Sequence, residues 1–368
     1  MKDRFSDVFG HDAVKDRLAR LLAEGRLPNG ILLVGEEGRG KRTLACAFAR
    51  EILREADPID PEGAARDAEL GRHPGLVVCE PLPEERTTPV RRLRSMMGRC
   101  GLSIGRGDRR VVVLPRLHRV NTEGGNTLLK FLEEPPVGTI IVATARDPGS
   151  VLETIRSRLS VLPCAALDRD GVRSVLTIKG FNAQDAAFLA PLCDGAPGAA
   201  FRLARGNLEA NLIAPLQSLL ANETPASVIA EALARQAKDA GADWIEAREE
   251  IGPRAAIAAW RDLRSAQESG VDDEKASEGT LEPTRVWIRP VFEALGVVIR
   301  QCMRACVEQR SLAPPWDSVV GIATPMRSDQ LPDWERRAVA VLRALENLDR
   351  NLTLPLVTES LVMAMRSR

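Results

Sequence analysis

The stretch that most constrains the fold lies at residues 31–53. ILLV, an unbroken apolar run, stops at Gly35, and GEEGRGKR then leads into TLACAFAREIL. A short apolar run ended by glycine reads as a buried parallel strand, and the segment after Lys41 reads as a helix. A buried parallel strand needs helices on both faces, so this order commits the chain to an α/β layer. The loop between them carries Gly35, Gly40 and Lys41 at the positions of the phosphate-cradling pattern G-x-x-x-x-G-K-[ST], with Gly38 inside it. Such a loop works through an anion nest of backbone N–H groups, a lysine for the outer phosphates and a hydroxyl for magnesium. Here Arg42 replaces that hydroxyl. Thr43 comes one residue later, about 100° further round the helix. Two readings of Gly35–Lys41 stand open: a tight turn that binds nothing, or a weak phosphate site without metal. Arg42 itself reads as a solvated arginine on a helix face, against a second reading in which its guanidinium stands near the missing magnesium of the degenerate loop.

The same alternation continues to about residue 160. Helical spacing of Val14, Leu18, Leu21 and Leu22 predicts a helix ending near Gly25. GLVVCEPL (75–82), VVVL (111–114) and TIIVATA (139–145) predict further strands. Pro89 opens a helix over VRRLRSMM, LLKFLEE (128–134) is helical up to Pro135-Pro136, and SVLETIRSRL (150–159) predicts a short helix. Residues 54–75 are rich in Pro, Gly and charge and read as mostly an exposed connection. After Leu167 the pattern is almost wholly helical. This gives three segments: an α/β P-loop-like domain at 1–167, a small helical unit at 168–207 and a larger helical domain at 208–368, interrupted by a charged Gly/Ser-bearing break at 264–283.

A P-loop needs a second strand ending in acidic residues that hold magnesium and position water. The strand in question is VVVL, and Pro115-Arg116 follows it. Hydrolysis thus lacks both metal anchors and its base.

Other motifs carry a family resemblance. GNTLLKFLEEPP (125–136) is similar to the N-A-L-L-K-x-L-E-E-P-P signature of the clamp-loader AAA+ proteins. TIRSR (154–158) matches their Ser-Arg motif, with Leu159 in place of the usual Cys, and the opening FSDVFGHDAVKDRLARLLAEGRLPNGILLVG and closing NLDRNLTLPLVTESLVMAM fit the same family. The resemblance implies an AAA+ α/β domain with a parallel sheet, a helical lid at 168–207 and an all-α collar for oligomerisation at 208–368. It also implies a subunit with a decayed ATP site in a bacterial sliding-clamp loader. Its partners would be homologous ATPase subunits and a delta subunit, with the sliding clamp and primed DNA reached through the complex. Arg158, beside Ser157, would be an arginine finger reaching the ATP of a neighbouring subunit, against the plainer reading of an ordinary surface ion pair. Asn126, Lys130, Glu133 and Glu134 would be structural, packing the motif helix against the subunit face. The family's lid arginine should fall in GAPGAA (195–200), which has none. Relatives often bind zinc through four cysteines in the insertion after the P-loop helix; residues 54–75 have no cysteine, so no zinc is expected, and lone His73 reads as a surface or packing residue. No cofactor is required, and ATP or ADP binding is expected to be weak or absent.

Composition narrows the partners. Lysine plus arginine equals aspartate plus glutamate at 51 each, so no global field draws the chain to nucleic acid or lipid. A local cluster, Arg91, Arg92, Arg94 and Arg99, could touch DNA phosphates, against the plainer reading of a solvated face. The opening residues show neither signal nor transit pattern, no stretch approaches a membrane span, and the seven cysteines form no C-x-x-C pair, so a cytoplasmic chain is expected. Cys302 and Cys306, spaced i,i+4, read as buried apolar residues, and His118 as packing. Two other readings remain: an active AAA+ motor in which Arg42 and Pro115-Arg116 are compensated elsewhere, and a AAA+ adaptor outside replication.

Overall fold

The computed structural model describes residues 4–82, 85–203, 212–220, 224–237, 283–312, 316–322, 324–350 and 352–366. They divide into two compact units, with the boundary between Leu167 and Asp168.

The first unit is built on five parallel strands in the order β2-β3-β4-β1-β5: β1 Gly30–Val34, β2 Leu76–Val78, β3 Arg110–Leu114, β4 Thr139–Ala145 and β5 Ser160–Pro163. Alternate residues of β1 to β4 enter opposite core layers, and β5 adds Leu162 to one of them. Ile31, Leu33, Val111, Val113, Ile140 and Val142 join one, with side chains of α1 (Asp12–Ala23) and α2 (Lys41–Ala56). Leu32, Val34, Val112, Leu114, Ile141 and Ala143 join the other, with α4 (Val90–Cys100), α5 (Thr122–Glu133) and α6 (Glu153–Arg156). Burial on both faces is why these strands read as continuous apolar runs.

Two expectations change here. Residues 54–75 are not mainly a connection, because α3 (Pro61–Glu69) forms within them. Pro61 sits at its first turn and the Asp60 carboxylate accepts from Gly63 N–H, so local capping outweighs the polar composition. Arg106, from the turn before β3, then ties the segment down through Asp57 at 2.5 Å, Asp67 at 2.7 Å and Asp60 at 3.1 Å. The predicted helix at 150–159 shortens to α6, and β5 follows it at once. That strand is short and mostly exposed, which left its pattern too weak to read.

The second unit is helical throughout its described residues. It opens with α7 (Arg169–Ile178), α8 (Ala183–Leu192) and α9 (Pro197–Leu203), the first two capped by Asp168 and Asn182. GAPGAA enters α9 at Pro197. Helix Pro283–Glu308 packs against helix Leu331–Asp349, which packs in turn against helix Leu354–Arg366. Cys302 and Cys306 are buried in the first of these, and burial pushes the Cys302 thiol up to about 12. The charged break falls, up to residue 282, outside the described residues; Pro283 already begins a helix. Among the described residues no helix is long and apolar enough to cross a membrane.

Candidate functional site

The glycine loop leaves β1, which lies between β4 and β5. Gly35 has φ 153°, and a Cβ there would stand 2.6 Å from the Cys164 carbonyl oxygen, so no side chain fits. Its N–H donates to the carbonyls of Ala145 and Arg146 at the end of β4. Gly38 and Gly40 turn with φ 87° and 80°, and Gly40 caps α2. Lys41 follows on the first turn, 7% exposed, and its Nζ donates to the Glu36 carbonyl at 2.7 Å. Burial brings its pKa down to about 8, against the pull of the Glu37 carboxylate.

The loop is held by its own surroundings. Arg39 Nη1 donates to the Cys164 carbonyl at 3.4 Å, its carbonyl lies 2.5 Å from His11 Nε2, and Arg146 pairs with Glu36 at 2.9 Å. His11, a buried left-handed residue at the N-cap of α1, carried no signal in the sequence beyond the motif around it.

Arg42 departs from its sequence reading. It is no solvated helix-face arginine: its guanidinium pairs with Glu80, whose side chain is 0% exposed. Burial lowers the arginine's pKa and the Glu80 carboxylate opposes that shift. Glu80 comes two residues after β2, and asking what could neutralise an arginine in the hydroxyl position would have led to it. The position that should offer magnesium an oxygen offers a cation, and the adjacent carboxylate is already neutralised.

The far side of the site is consistent with this. Pro115 and Arg116 follow β3, Arg116 in the left-handed region at φ 55° with its N–H donating to Thr144 Oγ1 at 3.1 Å. His118 Nε2 lies 3.8 Å from Glu37, and Arg119 lies 3.9 Å from the same carboxylate. Burial pulls His118 down to about 4, so the imidazole is neutral at pH 7. Lys41, Arg42, Arg116 and Arg119 thus gather around the loop, with Arg42 paired to Glu80 and Arg119 lying 3.9 Å from Glu37. These residues do not fit a magnesium-bound triphosphate, because each oxygen ligand the metal would need is replaced or already paired.

Arg158 is arranged differently. It lies just beyond α6 with its side chain 34% exposed. Its Nη1 donates to the Thr154 carbonyl at 2.5 Å and lies 3.3 Å from Ser157 Oγ, while Nη2 pairs with Glu133 at the end of α5. Of the four motif residues expected to be structural, three lie in α5 and Glu134 follows it as the C-cap. Leu128, Phe131 and Leu132 bury the helix, whereas Asn126, Lys130 and Glu134 are exposed in this chain and Glu133 holds Arg158. The arginine cluster also divides. Arg94 and Arg99 are exposed, but Arg92 is buried, donating to the Glu80 carbonyl at 3.0 Å and pairing with Glu85. In the insertion, His73 is buried rather than on the surface, its Nδ1 accepting from Gly75 N–H at 3.0 Å.

Residues 10–168 match the family model described as DNA polymerase III, delta subunit. A DNA polymerase III subunit delta-prime of Pseudomonas aeruginosa is 31% identical over 211 residues, covering 54% of this chain and 64% of the relative. The corresponding figures are 30% over 176 residues, 47% and 27% for subunit tau of Escherichia coli, and 25% over 173 residues, 46% and 52% for subunit delta-prime of Bacillus subtilis. The chain thus spans less than two thirds of the length of the curated relatives it matches. A solved gamma-subunit-related protein of Thermotoga maritima superimposes at a TM-score of 0.38 and 16% identity over 95% of this chain and 99% of that one, too loosely to bear on function.

Proposed function

We propose, from the similarity of residues 10–168 to the DNA polymerase III delta family and to delta-prime subunits, that the chain is a non-hydrolysing member of a DNA polymerase III clamp loader. It supplies Arg158 to the ATP of a neighbouring subunit. The observation that carries this reading is the contrast in one sheet domain between Arg42, turned inward onto Glu80, and Arg158, displayed at an exposed edge. An always-charged planar fork suits the second task, since it can stabilise charge on transferring phosphoryl oxygens when supplied from another chain. The partners in this reading are homologous ATPase subunits and a delta subunit, and the complex places a sliding clamp on primed DNA in the cytoplasm. The degenerate AAA+ loop serves as scaffold, and neither nucleotide nor zinc is required.

Two measurements test it. The purified chain should show no magnesium-dependent ATPase, and turnover abolished by Lys41→Ala would overturn the reading. In the reconstituted complex Arg158→Ala should lower ATP turnover by up to about 10³-fold. Unchanged turnover removes the finger role.

A metal-free anion site at the loop is the second reading, supported by Arg116 Nη1, which is buried without a hydrogen-bond partner beside this cationic cluster. Titration with inorganic phosphate, followed by the chain's thermal midpoint, decides it. A midpoint that does not move leaves only scaffold.

A further inference from the structure

Arg158 is not a free fork in the lone chain, and what holds it is fixed by packing. Its three acceptors differ in kind: the Thr154 carbonyl, the Ser157 hydroxyl and the Glu133 carboxylate. The first two belong to its own turn. Glu133 comes from α5, 25 residues earlier in the chain. The distance between α5 and that turn is set by Gly125. A Cβ there would meet Leu152 Cδ1 at 2.3 Å and Ile155 Cδ1 at 3.5 Å, so the absence of a side chain lets α5 close onto α6. Leu128, Phe131 and Ile155 share one core layer and hold that approach. The Glu133 carboxylate is therefore delivered to the guanidinium by a packed helix rather than by a mobile loop.

We propose that Glu133 is a positioning residue for Arg158: it holds the fork ready while no anion is present and yields it to a phosphoryl group presented by a neighbouring chain. This rests on the finger reading above. The physical case is one of exchange. The pair is exposed on both sides, 34% for the arginine and 48% for the glutamate, so its net strength is low and water can take back the carboxylate. A phosphoryl group bearing more than one negative charge attracts the same guanidinium more strongly than one carboxylate at equal distance. Until that exchange the pair limits the rotamers of a long side chain, and the ordering cost is met before the transition state forms. Such a contribution acts on turnover rather than on substrate binding.

The test uses the fully assembled clamp loader, with kcat and KM for ATP measured for wild type, Glu133→Gln, Glu134→Gln, Arg158→Ala and the double variant Glu133→Gln/Arg158→Ala. Glu133→Gln keeps the shape and removes the charge, and should lower kcat about fivefold with KM unchanged. Glu134→Gln, at the adjacent exposed carboxylate, should behave as wild type, and the double variant should match Arg158→Ala alone. If Arg158→Ala leaves turnover unchanged, the finger reading has failed. If Arg158→Ala lowers turnover while Glu133→Gln matches wild type, shifts only KM, or adds to the loss in the double variant, the positioning role alone is overturned. An equal loss in Glu134→Gln overturns it too, since it would mark a general charge effect.

Discussion

Two arginine–glutamate pairs of the sheet domain have the same chemistry and opposite settings. Arg42–Glu80 lies inside the glycine-loop site, with side chains 18% and 0% exposed, whereas Arg158–Glu133 lies at an edge with 34% and 48%. The inner pair does not exchange partners readily, because separating it would leave the buried Glu80 carboxylate without its counter-charge. The outer pair exchanges readily, because water replaces either partner at little cost. Burial, not residue type, decides which arginine is locked in place and which stays open to solvent.

The largest expected effect tests the inner pair. Arg42→Ser restores the P-loop hydroxyl but strands the Glu80 carboxylate, and should cost about 3–5 kcal/mol in urea unfolding without creating ATPase activity. Adding Glu80→Gln should return part of the loss. A stable Arg42→Ser protein would place the pair in water and erase the contrast. Next is the loop frame: Gly35→Ala forces a Cβ against the Cys164 carbonyl in a positive-φ conformation and should cost about 2 kcal/mol or more by the same assay.

A smaller effect depends on pH. His118 has its folded pKa lowered to about 4 by burial, below its unfolded value of 6.5. Between those values the unfolded state holds more protons, so stability falls as pH drops from 6.5 toward 4. His11 and His73, the chain's other histidines, are lowered too and act in the same direction. His118→Gln should remove that group's share of the acid-side loss while leaving the stability measured at pH 8 little changed. The smallest effect returns to the outer pair: Glu133→Gln should change unfolding stability by about 1 kcal/mol or less, and a larger loss would show the pair to be structural.

Much of this could be read from the sequence because it rests on local chemistry. β1, β3 and β4 are apolar runs buried on both faces, and their positions were readable from hydropathy alone. The departures at Arg42 and at Pro115-Arg116 needed only the spacing of the phosphate loop and its partner strand. β5 escaped because four mostly exposed residues beside a short helix give no clear period, and α3 escaped because its composition resembles that of a loop.

What the sequence by itself determined is the set of groups: a glycine loop with its lysine and no hydroxyl, a strand end without acids, and an arginine after a serine. Only the tertiary structure decided their partners. Glu80 reaches Arg42 across 38 residues and Glu133 reaches Arg158 across 25, separations bridged by strand order and by the glycine at 125 rather than by any local pattern. Whether an arginine is solvated depends on what packs around it, and packing belongs to the fold as a whole.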